Sequence, residues 1–424
     1  MRRHILSIIV VPTLLFWSAT ASAAERFCLR LPPDLTQIYD ASPRTMSLDY
    51  LEDYGRRNGG DWGMPGMRAH IETAAGDDVF GSTSCFGQIC LILTAPLDND
   101  GCTTYVNTPG GSSAETFRIR YTQSGAFADG SSYQVWDCGS SNPFYPSCGA
   151  ATNVIENVAA AAGSNVTHYE NLPATVTNIL AWEIGFSMKR FPLASTPIAV
   201  KYYDATAAAE QGVSTNAWFT SEGTPRINVT GNVYKSKFTF AHEYGHVYSM
   251  LRIPSLTTSD FDYCYNTVGP CQHTRTSTEY QAIAAIEGFA DFFSAAVWND
   301  GDYNSLAFIP LPDGAYDGEL INLESGHSGH EAKYYETNVC NGSCLNGLGV
   351  ELDWARTFWD FYTNYSPGAS VESIALVFDD IHPWPVNGLT DDFYTDFHNG
   401  VDNVMGATWE TRFVGQAQSN GIDW

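Results

Sequence analysis

The chain has 424 residues, 44% of them hydrophobic and 16% charged, and a formal net charge of −26. That much apolar material excludes wholesale disorder and is enough for one large two-lobed unit or two to three domains. Lys and Arg are few and scattered, so nucleic acid and anionic membrane surfaces are not expected partners.

The N-terminus points outside the cell. Arg2 and Arg3 precede an apolar run from Ile5 to Trp17, and Ala21-Ser22-Ala23 supplies the small residues of a cleavage site. This is the pattern of a secretory signal peptide over residues 1–23. A secreted, periplasmic or extracellular protein is expected, with no membrane span after cleavage, because no later apolar run approaches bilayer length. All ten cysteines follow the signal. Their even number, with export, predicts disulfides. Proximity suggests Cys85–Cys90, Cys138–Cys148, Cys264–Cys271 and Cys340–Cys344, leaving Cys28–Cys102, although sequence does not fix connectivity. No CxxC…CxxC or CxxC…HxxxH spacing supports a cysteine–zinc site.

Residues 24–112 are rich in turn-forming dipeptides, with one good strand at Gln88–Leu93. A disulfide-stapled, β-rich or irregular region is expected there: a small domain, a prosegment or a decoration of the main domain. Asp98-Asn99-Asp100-Gly101 and Asn299-Asp300-Gly301-Asp302 match the start of a calcium loop. Neither continues to the bidentate acid such a loop needs, so turns are expected and a structural Ca2+ has no support.

Residues 113–424 form the expected main domain. Phe117–Tyr121 alternates as a strand does, and Leu172–Phe191 reads as a helix closed by Pro192. Strands are expected at Pro197–Tyr203 and Thr224–Thr230. Long helices are expected at Lys235–Arg252, Glu279–Asn299 and Glu351–Tyr362. Strands first and helices later make this an α+β chain, not an alternating one.

The first long helix contains His242-Glu243-Tyr244-Gly245-His246, an HExxH. Residues four apart share one helix face, so both imidazoles can reach one metal ion. Phe240, Tyr244, Val247 and Leu251 make an apolar stripe on another face. Gly245 would let a neighbouring backbone approach closely. A hydrolytic zinc takes three protein ligands. A third His six residues after the second is ruled out, because that position is Arg252. A carboxylate on the next helix remains, and Glu287-Gly288-Phe289-Ala290-Asp291 offers one. Thr278 and Gln281 suggest a capping box at the start of that helix. Glu287 would be the ligand, with Asp291 one turn on to accept the other N–H of a ligating imidazole.

HExxH followed by ExxxD resembles the gluzincins, zinc metallopeptidases similar to thermolysin and the fungalysins. The resemblance covers about Phe117–Trp298 by order of elements and the two motifs by residue. It implies a zincin-like fold, one catalytic Zn2+ on His242, His246 and Glu287, and Glu243 as the general base that activates the bound water. It also implies Asp291 as the carboxylate behind His242. Ile286 stands where an Asn is common, and Glu351 stands where a Gly-Val-His motif would carry its His. An oxyanion-stabilising residue is therefore open among His327, His330, Tyr334, Tyr280 and Asp353.

The resulting expectation is a secreted zinc endopeptidase acting on a protein or peptide. Thr224–Thr230 is a candidate edge strand for pairing with an extended substrate. Trp354, Phe358 and Trp359 are expected in the core. Two other readings stand beside it: an inactive or weakly active binding protein on the same fold, and a zinc hydrolase with a non-peptide substrate.

Overall fold

A computed structural model of the chain describes residues 23–31, 63–73, 91–104, 106–108, 116–138, 148–149, 152–159, 166–204, 217–220, 224–231, 234, 236–251, 281–298, 308–311, 319–323, 349–381 and 393–422. Of the expected signal segment, residues 1–22 lie outside the described residues, and its last residue, Ala23, begins the first strand. Cys85, Cys90, Cys264, Cys271, Cys340 and Cys344, and the Asn299–Asp302 stretch, also lie outside the described residues.

The elements run in this order: β1 (Ala23–Arg30), β2 (Met67–Thr73), β3 (Leu91–Pro96), β4 (Val106–Thr108), β5 (Thr116–Ala126), β6 (Ser132–Cys138), β7 (Cys148–Gly149), β8 (Thr152–Ala159), β9 (Val166–Asn171), α1 (Val176–Arg190), β10 (Pro197–Tyr203), β11 (Ala217–Thr220), β12 (Arg226–Thr230), α2 (Lys237–Met250), α3 (Gln281–Trp298), β13 (Phe308–Leu311), β14 (Glu319–Asn322), α4 (Glu351–Thr363), α5 (Val371–Asp380), α6 (Phe393–Met405) and α7 (Ala407–Ser419). Strands dominate the first half and helices the second.

The large sheet has the order β11-β12-β10-β6-β5-β2-β3, with β7 on β6 and β8 on β5. β10 runs parallel to both β6 and β12, and β11 runs antiparallel to β12. β6 shows the period of two of a half-covered strand: Tyr133 and Val135 are buried while Gln134 and Trp136 are partly exposed. β2 and β3 precede residue 112 and yet belong to this sheet, β2 pairing with β5 from Met67 to Thr73. The division expected at residues 112 and 113 therefore crosses a hydrogen-bonded sheet. A smaller sheet, β4-β1-β9, carries the first strand, and the Cys28–Cys102 disulfide ties that strand to the Asp98–Gly101 turn. Asp98 Oδ1 accepts the N–H groups of Asp100 and Cys102, both at 2.9 Å, while its Oδ2 pairs with the Arg26 guanidinium, so neither oxygen is free for a cation. Cys138 is also disulfide-bonded, and Cys148 lies opposite it in the β6–β7 register.

α1 lies between the sheet and the helices. Thr175 caps it by accepting the Asn178 N–H at 3.3 Å, so the helix starts three residues after Pro173 rather than at Leu172. Every residue from Thr177 to Met188 is buried. α2 packs on β11, β12 and α1, α3 packs between α2 and α4, and α5–α7 close over α4. Trp354, Phe358 and Trp359 of α4 are in the core, each fully buried. The expected stripe on α2 is corrected at its end. Phe240, Tyr244 and Val247 are buried, but Leu251 caps the helix and is 39% exposed. Ala241, Tyr248 and Ser249 are buried too, so α2 is enclosed on most sides.

Two glycines set the spacing of the helical layer. A Cβ on Gly245 would stand 3.0 Å from the Ala290 Cα, so α2 and α3 touch backbone to backbone there. A Cβ on Gly288 would stand 2.5 Å from both the Glu351 carbonyl oxygen and the Trp354 Cβ, which locks α3 against the start of α4. Thr278 of the expected capping box lies outside the described residues; Gln281 Oε1 accepts the backbone N–H of Tyr394 at 3.1 Å, tying α3 to α6.

Candidate metal centre

Three donor atoms meet between α2 and α3. His242 Nε2, His246 Nε2 and Glu287 Oε2 form a triangle with all three sides 3.1 Å. Two histidines one turn apart on α2 supply one side, and the antiparallel α3 supplies the acid opposite them. The close approach at Gly245 makes this possible, because a bulkier residue there would push the two helices apart. Among the described residues, this is the one group of His, Cys, Asp or Glu whose donor atoms cluster as metal ligands do.

Asp291 lies behind the triangle. Its Oδ1 is 2.8 Å from His242 Nδ1, and the residue is fully buried. A carboxylate there accepts the Nδ1 proton and leaves the lone pair of Nε2 aimed at the other two donors. Burial opposes a charged imidazole at His242, but the hydrogen bonds and charges of Asp291 and Glu287 outweigh it and raise its pKa well above the ordinary value. Three mutual contacts of 3.1 Å cannot all be hydrogen bonds. Even with a proton on both His242 nitrogens, which its raised pKa favours, the single Nε2 proton serves one neighbour, and Glu287 as a carboxylate has none to give.

A cation fits this donor set better than a proton does. Ligand atoms about 2.0–2.1 Å from one tetrahedral ion stand about 3.3–3.4 Å apart. The triangle is within a few tenths of an ångström of that spacing. Two imidazole nitrogens and one carboxylate oxygen are also the mixed donors that zinc accepts.

Compared with protein-family models, curated proteins and solved structures, the chain matches none of them. The functional reading therefore rests on the cluster and its surroundings.

Glu243 follows His242 on α2, turned about 100° from it around the helix, and is 8% exposed. Of the residues open for an oxyanion role, Asp353 is fully buried in the first turn of α4. His327, His330, Tyr334 and Tyr280 lie outside the described residues. The candidate edge strand needs correcting. Arg226–Thr230 is β12, which has β10 on one side and β11 on the other. Among the described residues the last strand on that side of the sheet is β11, Ala217–Thr220, which packs on α2. Its sequence signal is only the short run Ala-Trp-Phe-Thr, too brief to separate from loop.

Proposed function

We propose that this chain is an exported zinc-dependent endopeptidase of gluzincin type. The observation that carries the reading is the His242–His246–Glu287 triangle with Asp291 seated on His242. Zinc held there lowers the pKa of a coordinated water to about 7 and polarises a substrate carbonyl. The chain's own residues do the rest. His242, His246 and Glu287 would hold the ion, and Asp291 would keep the Nδ1 proton of His242 so that Nε2 stays free to ligate. Glu243 accepts a proton at its carboxylate from the attacking water and delivers it to the leaving amine nitrogen. An extended peptide aligned antiparallel or parallel to β11 would gain main-chain hydrogen bonds with little demand on sequence. No described helix is long and apolar enough to cross a membrane.

Metal analysis and turnover of casein, on wild type and Glu243→Gln side by side, test the reading. One zinc per chain is expected in both, with turnover about 10²–10⁴-fold lower in the variant. A wild-type rate in the zinc-loaded variant would remove Glu243 from the role of base. Zinc without turnover of any peptide would favour a non-peptide substrate. Absence of both zinc and turnover would favour a binding protein.

A further inference from the structure

The face of the large sheet that turns away from the helices takes no part in the chemistry above. Ile198, Val200, Ile227 and Val229 are buried on the side where α1 and α2 pack. Ala199 and Lys201 of β10, and Arg226 and Asn228 of β12, therefore point to the other side. The parallel register sets Ala199 beside Arg226 and Lys201 beside Asn228. Lys201 and Arg226 are diagonal neighbours, their Cα atoms about 8 Å apart from a strand spacing of about 4.8 Å and a rise of about 3.3 Å per residue. Two long side chains on one face at that separation can bring their charged heads to a single group.

Nothing in the surroundings balances these two charges, in a chain whose net charge is −26. Both side chains are half-buried. Arg226 Nε is shut off from solvent and has no hydrogen-bond partner. Among the described residues no acid pairs with either side chain. Burial, and after it the charge of Arg226, lower the Lys201 pKa, and no acid opposes them. The neighbours on this face are neutral: Gln134 and Trp136 of β6 stand beside Ala199 and Lys201, with Asn228 on the other flank. The charges of Asp137 and Asp204 are felt by Tyr202, which packs on the helix side of the sheet. A native chain seldom leaves a buried N–H unpaired, and like charges side by side on a sheet destabilise it. An oxyanion would answer both, because it accepts hydrogen bonds from guanidinium and ammonium and cancels their repulsion.

We propose that Lys201 and Arg226 form a binding site for an oxyanion, a carboxylate, sulfate or phosphate group held across β10 and β12 on the side of the sheet opposite the metal centre. Arg226 offers its planar fork to two oxygens, and Lys201 adds a point charge from the next strand. Ala199, with only a methyl group, leaves room beside the guanidinium. The site binds and does not react, and it stands independently of the metal-centre reading.

Inorganic sulfate, inorganic phosphate and acetate, each titrated into the full-length protein at an ionic strength held constant with sodium chloride, test the proposal. Calorimetry reads affinity, and NMR of the Arg226 Nε–H resonance reads the place. Saturable binding that moves this resonance is expected, with sulfate tighter than acetate because a divalent anion meets two cations. Lys201→Met is expected to weaken binding about tenfold or more. It removes one of two like charges, so melting in chloride is expected at or above the wild-type temperature. Arg226→Lys keeps the charge and loses the fork, and is expected to weaken binding too; it serves alone should Lys201→Met fail to fold. Saturation by sulfate or phosphate alone would assign the site to a tetrahedral anion, and tighter binding of acetate would assign it to a carboxylate. Binding that saturates with none of the three, leaves the Arg226 resonance unmoved, or is equally tight in wild type and variants would overturn the proposal.

Discussion

Helix α2 carries two buried sets of charged groups little more than one turn apart, and they are built in opposite ways. At His242 and His246, acids stand 2.8–3.1 Å from imidazole nitrogens. At Lys237 the ammonium has no hydrogen-bond partner, nor has the buried Glu183 carboxyl on α1, and aromatic rings lie against the lysine. Both sites are largely buried, yet the basic group is pushed in opposite directions. His242 is raised despite burial, while Lys237 is lowered because of it. Burial alone therefore does not decide whether a base keeps its proton; a bonded acid does. The first set has the donor spacing that a small cation would fill. In the second, each charged group is buried without a hydrogen-bond partner.

The contrast can be broken first at the cluster. His242→Ala with His246→Ala removes two of three donors, and zinc content is expected to drop from about one equivalent per chain to a small fraction, read by elemental analysis. Retention of a full equivalent would mean the ion lies elsewhere. Next in size, Lys237→Met alone strands the Glu183 carboxyl in the core. Breaking one half of a buried pair costs about 3–5 kcal/mol when the partner stays charged, and less here to the extent that Glu183 takes up a proton. Urea unfolding at pH 7 checks this; stability equal to wild type would show that the two charges do not interact.

Asp291→Asn sharpens the comparison from the other side. It keeps the shape but weakens the bond to His242, and metal affinity is expected to fall about 10–100-fold with little change in fold. The smallest effect is in pH dependence. With Glu183→Gln, the lowered Lys237 remains: its folded form has lost a proton that the unfolded form keeps, so stability should rise with pH from about 7 toward 10. With Lys237→Met, the raised Glu183 remains: its folded form holds a proton that the unfolded form has lost, so stability should fall as pH rises above about 4.5. Each slope is at most about 1.4 kcal/mol per pH unit, and in wild type the two oppose each other. Parallel pH profiles for the two variants would show that neither group is shifted.

The parts of this molecule that can be read from sequence are those written in local spacing. His242 and His246 are one turn apart, and the carboxylates of α3 follow an apolar run that fits only a buried helix. The expected ranges for α2 and α3 lie within two residues of those in the structure. What local spacing does not carry is pairing across long separations. Nothing within Met67–Thr73 announces β5 as its neighbour, and nothing within Arg226–Thr230 says that Ala217–Thr220 lies outside it. Lys237 and Glu183 are equally silent, because a lone Lys at a helix start and a lone Glu in a helix are ordinary until the helices are packed. The helices after residue 363 do carry a signal, though a weak one. Ser370 caps α5, and Val371, Ile374, Ala375 and Phe378 lie on its buried face. The turn-rich sequence around them, with Pro367 and Gly368 before and Pro383 and Pro385 after, masks that period.

β1 has a consequence for the order in which this chain can be assembled. It is flanked by β4 and β9, and Arg30 bonds Asn171 across 141 residues. A ribosome makes β1 before β4 and well before β9, so the strand waits with both edges bare until residue 106 and with one bare until residue 166. Closing so long a loop is slow, and a waiting strand is open to the wrong partner. The Cys28–Cys102 bond offers an early clamp, because it can form once residue 102 has emerged and brings the strand to its corner before β9 exists. An oxidising compartment would then serve as a timer for assembly as well as a source of cross-links.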